Sequence, residues 1–337
     1  MKMVHISDTH LGFAAYRRTD PATGLNQREM DVYRAFEECV DRILQLRPEA
    51  VIHSGDLFDT VRPSNRAISF ALEQLIRLKD QDIEVVMIAG NHSTPKMRET
   101  GSVFKIFEHL DRVHPVYQGV YETVRCGDLA VHAVPHADRD DMIAQLDRVR
   151  PDGDSAYNVL TLHAGIVGIT SFGMGEFNEQ LIPSSYLRED MDYVALGHFH
   201  ESVRLADNSY YAGSIERFSF NEAGHRKGFM LVDLEKGKKD FIEIGTRKML
   251  DLPPIDAKGM EPNQLMKDIR KRLESQDLDG AIVRLRVDGV RSSLYRSLDF
   301  EAVRSWTDKA VHFEPRFDIV SEEGSVQTNG PGITALD

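Results

Sequence analysis

Residue types that bind metals and carry protons recur in this sequence just behind short apolar runs. Asp8-Thr9-His10 follows residues 3–7, Gly55-Asp56-Leu57-Phe58-Asp59 follows 50–54, and Gly90-Asn91-His92 follows 83–89. His163 closes the run 158–163, and Gly197-His198-Phe199-His200 closes and follows 193–197. Asp8, His10, Asp56, Asn91, His163, His198 and His200 supply two carboxylates, four imidazoles and one amide, with no thiolate. A mixed oxygen and nitrogen set suits Mn²⁺ or Fe²⁺ in a dinuclear centre, admits Zn²⁺ and disfavours a structural zinc. These ligands cannot fill two separate six-coordinate shells, so one carboxylate must be shared and water must complete the rest. Two cations ~3.5–4 Å apart clamp both sides of an in-line phosphoryl displacement and lower the pKa of a water between them. Any one fragment is weak evidence. Their ordered recurrence behind five strands outweighs chance placement of a few of the 13 histidines. His5, His109, His114, His132, His136, His225 and His312 fall outside these fragments and are read as structural.

The apolar runs must be strands for this reading to work, because ligands of α/β sheets gather beyond the carboxyl ends of strands. Val32, Phe36, Val40, Ile43 and Leu44 recur at helical spacing within 29–46, and a second helix is read over 64–79. With the runs 3–7, 50–54 and 83–89 they alternate as strand and helix, which argues for a buried sheet covered by helices. Further strands at 129–135, 158–163, 193–197, 209–212 and 228–233 lack long helices between them and imply a second sheet packed on the first. Leu252-Pro253-Pro254 reads as a linker. Beyond it come a helix at 262–275, a strand at 281–287, a helix at 298–309 and a strand at 313–320. The expected organisation is a catalytic domain over 1–248, a small α/β domain over 249–320 and a disordered tail over 321–337.

Composition narrows the setting. The 337 residues are 41% hydrophobic and 28% charged, ordinary for a globular chain with a sizeable core. No apolar run approaches the ~20 residues that span a bilayer, no secretory segment precedes the first strand, and two distant cysteines make neither a disulfide framework nor a zinc cluster. A cytoplasmic protein without a membrane partner is expected, nucleoid-associated if prokaryotic. The net charge of −13 does not exclude nucleic acid, because local patches and bound cations decide that.

The five fragments resemble the calcineurin-like metallophosphoesterase superfamily. Residue by residue, the resemblance implies one metal on Asp8, His10, Asp56 and His200, and another on Asp56, Asn91, His163 and His198, with Asp56 bridging. His92 matches the catalytic histidine that assists the leaving oxygen, and Asp59 the carboxylate that orients it and raises its pKa. His53-Ser54-Gly55-Asp56-Leu57-Phe58-Asp59, Arg62-Pro63-Ser64, Gly213-Ser214-Ile215-Glu216-Arg217-Phe218-Ser219-Phe220 and Lys227-Gly228-Phe229 are similar to the SbcD/Mre-eleven nucleases, over residues 1–251.

That branch, archaeal or bacterial, implies an α/β fold: a two-sheet metallophosphoesterase sandwich flanked by helices, followed by a small C-terminal DNA-capping domain. It implies two Mn²⁺ ions, a 3′-to-5′ exonuclease on duplex DNA, a single-strand endonuclease, and double-strand-break repair with an SbcC/Rad-fifty-type ATPase. A homodimer is implied through helices at 64–79 and 102–110, the latter with an apolar stripe of Val103, Ile106, Phe107 and Leu110; the stripe reads equally as internal core. Tyr16, Arg17, Arg18, Arg62, Lys96, Arg98 and Arg217 flank the metal loops as candidate phosphate-backbone contacts, each against the alternative of a solvated surface charge. Two other readings stand beside the nuclease: a hydrolase of small or cyclic phosphodiesters, and a non-catalytic scaffold of the same fold.

Overall fold

The computed structural model describes residues 1–94, 101–168 and 180–320. Contacts divide the chain into Met1–Arg217 with His225–Thr246, and Phe218–Gly224 with the chain from Arg247 onward.

The first unit is the two-sheet sandwich expected. One sheet runs Lys238–Glu243, Gly228–Asp233, Lys2–Ile6, Ala50–His53, Glu84–Ile88, Val113–Val116. The other runs Val203–Arg204, Ser209–Tyr211, Tyr193–Gly197, Tyr157–His163, Leu129–Val134, Glu122–Cys126. The strands that carry the chemical loops lie parallel within each sheet, so their carboxyl ends share one rim. Met3, Ile52 and Val86 of the first sheet pack against Val131, Val159 and Ala195 of the second. Alternate residues Leu160, Leu162, Val194 and Leu196 meet Met142 and Leu146 on the far side of the second sheet. Burial on both faces explains why these strands read as unbroken apolar runs.

Helices Gln27–Leu46 and Asn65–Lys79 turn Val32, Phe36, Val40 and Ile43, and Leu75 and Leu78, inward. Asn26 caps the first by accepting from the Arg28 and Glu29 amides, and Ser64 caps the second by accepting from Ala67. The segment expected as a helix over 102–110 is instead a 3₁₀ helix, Val103–His109. Its threefold repeat buries Phe104 and Phe107, so the expected stripe is split: Phe107 is buried, Val103 and Leu110 are half-buried and Ile106 is left outside.

His5 sits in the middle of this unit, fully buried, with Nδ1 3.1 Å from the Tyr193 hydroxyl. Burial pushes its pKa down to about 3, outweighing an opposing hydrogen bond to the Leu196 backbone, with a lesser lowering from the charge of His53. A depressed histidine contributes stability above its unfolded value near 6.5 and loses it as pH falls toward 3. Between neutrality and about pH 5 that loss is about 2 kcal/mol for one group. His5→Phe should therefore show a shallower acid decline in urea-unfolding stability than the wild type; parallel pH profiles would contradict it.

In the second unit, Met249–Asp256, Ile282–Arg291 and His312–Val320 form a parallel three-stranded sheet. Helices Pro262–Glu274, Ser292–Arg296 and Phe300–Trp306 supply Leu265, Ile269, Leu273, Leu294 and Val303 to its core. Leu252-Pro253-Pro254 is not a linker: it lies inside the Met249–Asp256 strand. This is an edge strand, and its register shifts between Leu252 and Ile255, so the prolines sit where no ladder donor is needed. The helix expected over 298–309 covers only Phe300–Trp306. Phe218–Gly224 joins this unit through Phe220, over whose ring the Arg284 guanidinium lies at 4.6 Å. The expected tail, 321–337, falls outside the described residues. No helix among those described is long and apolar enough to cross a membrane.

Candidate metal centre

The loops behind the five strands leave in unusual backbone conformations. Asp8, His10, Asp56 and His198 have φ of 51°, 44°, 53° and 105°, in the left-handed region that side chains avoid. Surrounding bonds hold them there. The amides of Asp8, His10 and Leu11 donate to the carbonyls of Gly55, Asp56 and Leu57 at 3.0, 3.0 and 2.8 Å, joining the first two loops. The His92 amide donates to Asp56 Oδ1 at 2.9 Å, and the His198 amide to both Asp8 carboxylate oxygens at 3.1 Å.

All seven sequence-predicted ligands converge. Ligand atoms of Asp8, His10 and His200 lie within 4.8 Å of one another, as do those of Asp8, Asp56 and His163. Asn91 Oδ1 is 2.8 Å from His163 Nε2 and 3.4 Å from His198 Nδ1. His163 donates from Nδ1 to the Ser54 carbonyl at 2.8 Å, which aims Nε2 at Asn91 and at Asp56 Oδ2, 3.1 Å away. His10 Nε2 and His200 Nε2 face each other at 3.2 Å. Such converging lone pairs repel unless a proton or a cation lies among them. The donor set therefore fits divalent cations.

The electrostatics agree. Burial works to raise the Asp56 pKa, but His163, His10 and His92 together hold it well below the carboxylate range. Asp56 thus lies between both groups of ligands. Burial works to lower His163, yet the charge and hydrogen bond of Asp56, with Asp8, bring it up to about 9. For His198, burial and then the charge of His163 outweigh the opposing charge of Asp56 and push it down to about 3.

Glycines make the approach feasible. A Cβ on Gly90 would overlap Asp56 Oδ1, and one on Gly197 would overlap the Ser54 carbonyl and His163. Because that Cβ on Gly90 would also press on the Asp56 backbone nitrogen, Gly90→Ala should displace the carboxylate with its loop, lowering both metal occupancy and stability; full occupancy by elemental analysis would refute this.

His92 and Asp59 lie beside this cluster, in a different arrangement from the one expected. His92 Nδ1 donates to the Asp59 main-chain carbonyl at 2.8 Å, while the Asp59 carboxylate is 3.3 Å from His10 Nδ1. The tautomer of His92 is thus held by backbone. The Asp59 side chain faces a ligand histidine, while still within 4.8 Å of His92.

Among the softer candidates, Arg17, Arg18 and Arg62 are exposed and Tyr16 is half-buried. Arg217 is otherwise engaged: its guanidinium bonds to Thr246 and to the His225 carbonyl, so it is a scaffold residue. Lys96 and Arg98 lie outside the described residues.

Sequence reasoning missed two buried cations. Lys227, 1% exposed, donates from Nζ to the His200 carbonyl and to Ser214 Oγ, each at 2.8 Å. Arg28, also 1% exposed, bonds Asp31 at 2.7 Å and Glu216 at 3.4 Å and donates to the Arg217 carbonyl. The signal for Lys227, Glu216 and Arg217 was their place in the motifs quoted above; Arg28 had none. Removing Arg28 strands two buried carboxylates, so Arg28→Met should cost about 3–5 kcal/mol. Urea unfolding measures this, and a loss below about 1 kcal/mol would mean the pair is solvated.

Residues 1–202 match the calcineurin-like phosphoesterase family model. The chain is 32% identical over 324 residues to the DNA double-strand break repair protein Mre11 of Saccharolobus solfataricus, covering 93% of this chain and 81% of that one. To the proteins of the same name from Sulfolobus acidocaldarius and Methanococcus maripaludis it is 30% and 29% identical. Those matches cover 85% and 80% of this chain and 71% and 73% of theirs.

Proposed function

The chain belongs to the calcineurin-like phosphoesterase family and, within it, to the Mre11 group, and from that premise we propose that it is a divalent-metal DNA nuclease of double-strand break repair. The observation that carries the reading is the meeting of Asp8, His10 and His200 with Asp56, Asn91, His163 and His198 at one rim.

Asp8, His10, Asp56 and His200 would hold one Mn²⁺, and Asp56, Asn91, His163 and His198 the other, with Asp56 shared. Bound there, the pair supplies Lewis-acid charge for the phosphodiester and lowers the pKa of water. The chain's own groups do the positioning. The Ser54 carbonyl fixes the His163 ring, Lys227 and Ser214 fix the turn after His200, and the left-handed loops hold carboxylates at the strand ends. His92, with Nδ1–H held by the Asp59 carbonyl, presents Nε2 to the leaving oxygen and assists it by proton donation. Asp59 acts on His10 and, at the edge of the cluster, on His92. Arg17, Arg18 and Arg62, with Tyr16, are suited to the phosphodiester backbone on either side of the scissile bond.

The finer reading is a 3′-to-5′ exonuclease on duplex ends and an endonuclease on single strands, working as a homodimer with an SbcC/Rad-fifty-type ATPase. The second unit would serve as the DNA-capping domain. Ile76 and Ile106, large apolar side chains left 39% and 40% exposed on the two segments named for dimerisation, support the homodimer.

The test is nucleotide release from linear duplex DNA with Mn²⁺ added to metal-stripped protein. Manganese-dependent release supports the nuclease. Hydrolysis confined to small phosphodiesters rejects DNA as substrate, and inactivity on both rejects the enzyme.

A further inference from the structure

Away from the rim, three side chains of different chemistry meet at an edge of the same sandwich. Glu84 opens the Glu84–Ile88 strand, His114 lies in Val113–Val116, and Cys126 ends Glu122–Cys126. A carboxylate oxygen, an imidazole nitrogen and the thiol sulfur lie within 4.8 Å of one another. The first two strands are neighbours in one sheet, and the third is the edge strand of the other, so the triad bridges the two sheets. Glu84 stands at the opposite end of its strand from Asn91. At ~3.3 Å per residue the two are about 20 Å apart, so the triad is separate from the catalytic cluster.

We propose that Glu84, His114 and Cys126 form a second cation site that takes a borderline-soft divalent ion of the Zn²⁺ class. Thiolate, imidazole and carboxylate are the ligand types such ions accept, and three protein ligands leave a fourth position for water. The burial is graded suitably: Cys126 is 6% exposed against the core, while the His114 and Glu84 side chains are 36% and 22% exposed, so an ion has a path from solvent. Arg112 already orients the carboxylate, holding Oε1 at 2.6 Å and leaving Oε2 2.9 Å from His114 Nε2. A cation entering there replaces that hydrogen bond with two coordinate bonds. Burial, and then the charge of Glu84, push the free Cys126 thiol up to about 12; on binding, its proton leaves to solvent. The ordinary alternative is an ion-pair network in which Arg112, Glu84 and His114 satisfy one another and Cys126 is a core thiol.

The full-length protein, stripped of metal and saturated with Mn²⁺, is titrated with Co²⁺ under anaerobic reducing conditions. No catalytic ligand contains sulfur, so a thiolate-to-cobalt charge-transfer band in the near ultraviolet reports the new site and not the catalytic pair. The other cysteine, Cys39, is buried within helix Gln27–Leu46. The proposal predicts a band saturating at one Co²⁺ per chain, retained in C39S and D56N and lost in C126S. H114A and E84Q should weaken Co²⁺ binding by about tenfold or more. These two replace partly exposed groups and carry the test if C126S does not fold. Absence of the band in the wild type, or an unchanged titration in both H114A and E84Q, overturns the site and leaves the ion-pair network.

Discussion

Asp56→Asn is expected to remove both cations and with them DNA cleavage. The Asp56 carboxylate faces the His92 amide through Oδ1 and His163 through Oδ2, and the charges of His163, His10 and His92 all fall on it. Asparagine keeps an acceptor for the His92 amide, so the loops should stay folded. It loses the negative charge that two dications share. The expected drop in kcat/KM is about a thousandfold or more, about 4 kcal/mol of transition-state stabilisation. Elemental analysis of the dialysed variant should show both ions depleted, with thermal unfolding close to wild type in the absence of metal. A variant that retains two ions and cleaves duplex DNA would refute the shared-carboxylate assignment.

His92→Gln is expected to leave metal content intact and lower kcat. The His92 ring packs edge-on to His10, 4.9 Å between centroids, and its Nδ1 is engaged by the Asp59 carbonyl. It therefore borders the seven ligands without being one of them. Loss of a general acid costs about 10²–10⁴-fold in the chemical step, so the effect should appear in kcat with KM little changed. Elemental analysis separates this variant from Asp56→Asn: ions bound, turnover lost. Unchanged cleavage would remove His92 from the chemistry, and lost ions would make it a ligand.

The contrast between these variants follows from what the sequence displayed. Asp8, Asp56, Asn91, His163 and His198 stand behind strands buried on both faces, and such strands are legible as apolar runs ending abruptly in polar residues. Edge strands carry no such mark. Glu122–Cys126 and Lys238–Glu243 went unread because their exposed faces are charged, and Val113–Val116 because it contains Pro115. Pro253 and Pro254 misled for the same reason, since prolines tolerated at a bulged edge look like a break.

Contacts made across long sequence separations were invisible too. The bonds from Arg28 to Glu216 and from Lys227 to His200 link residues 188 and 27 positions apart, and no local pattern announces them. Asp59 lies beside the cluster, and only the loop geometry shows its carboxylate facing His10 and its carbonyl facing His92.

Crystals soaked in Mn²⁺ with a short DNA duplex, measured at a wavelength where manganese scatters anomalously, test the central claim most directly. The account predicts two anomalous peaks on either side of the Asp56 carboxylate, one among Asp8, His10 and His200 and the other among Asn91, His163 and His198, with a backbone phosphate against both. A single peak, or two peaks that do not share Asp56, would contradict it.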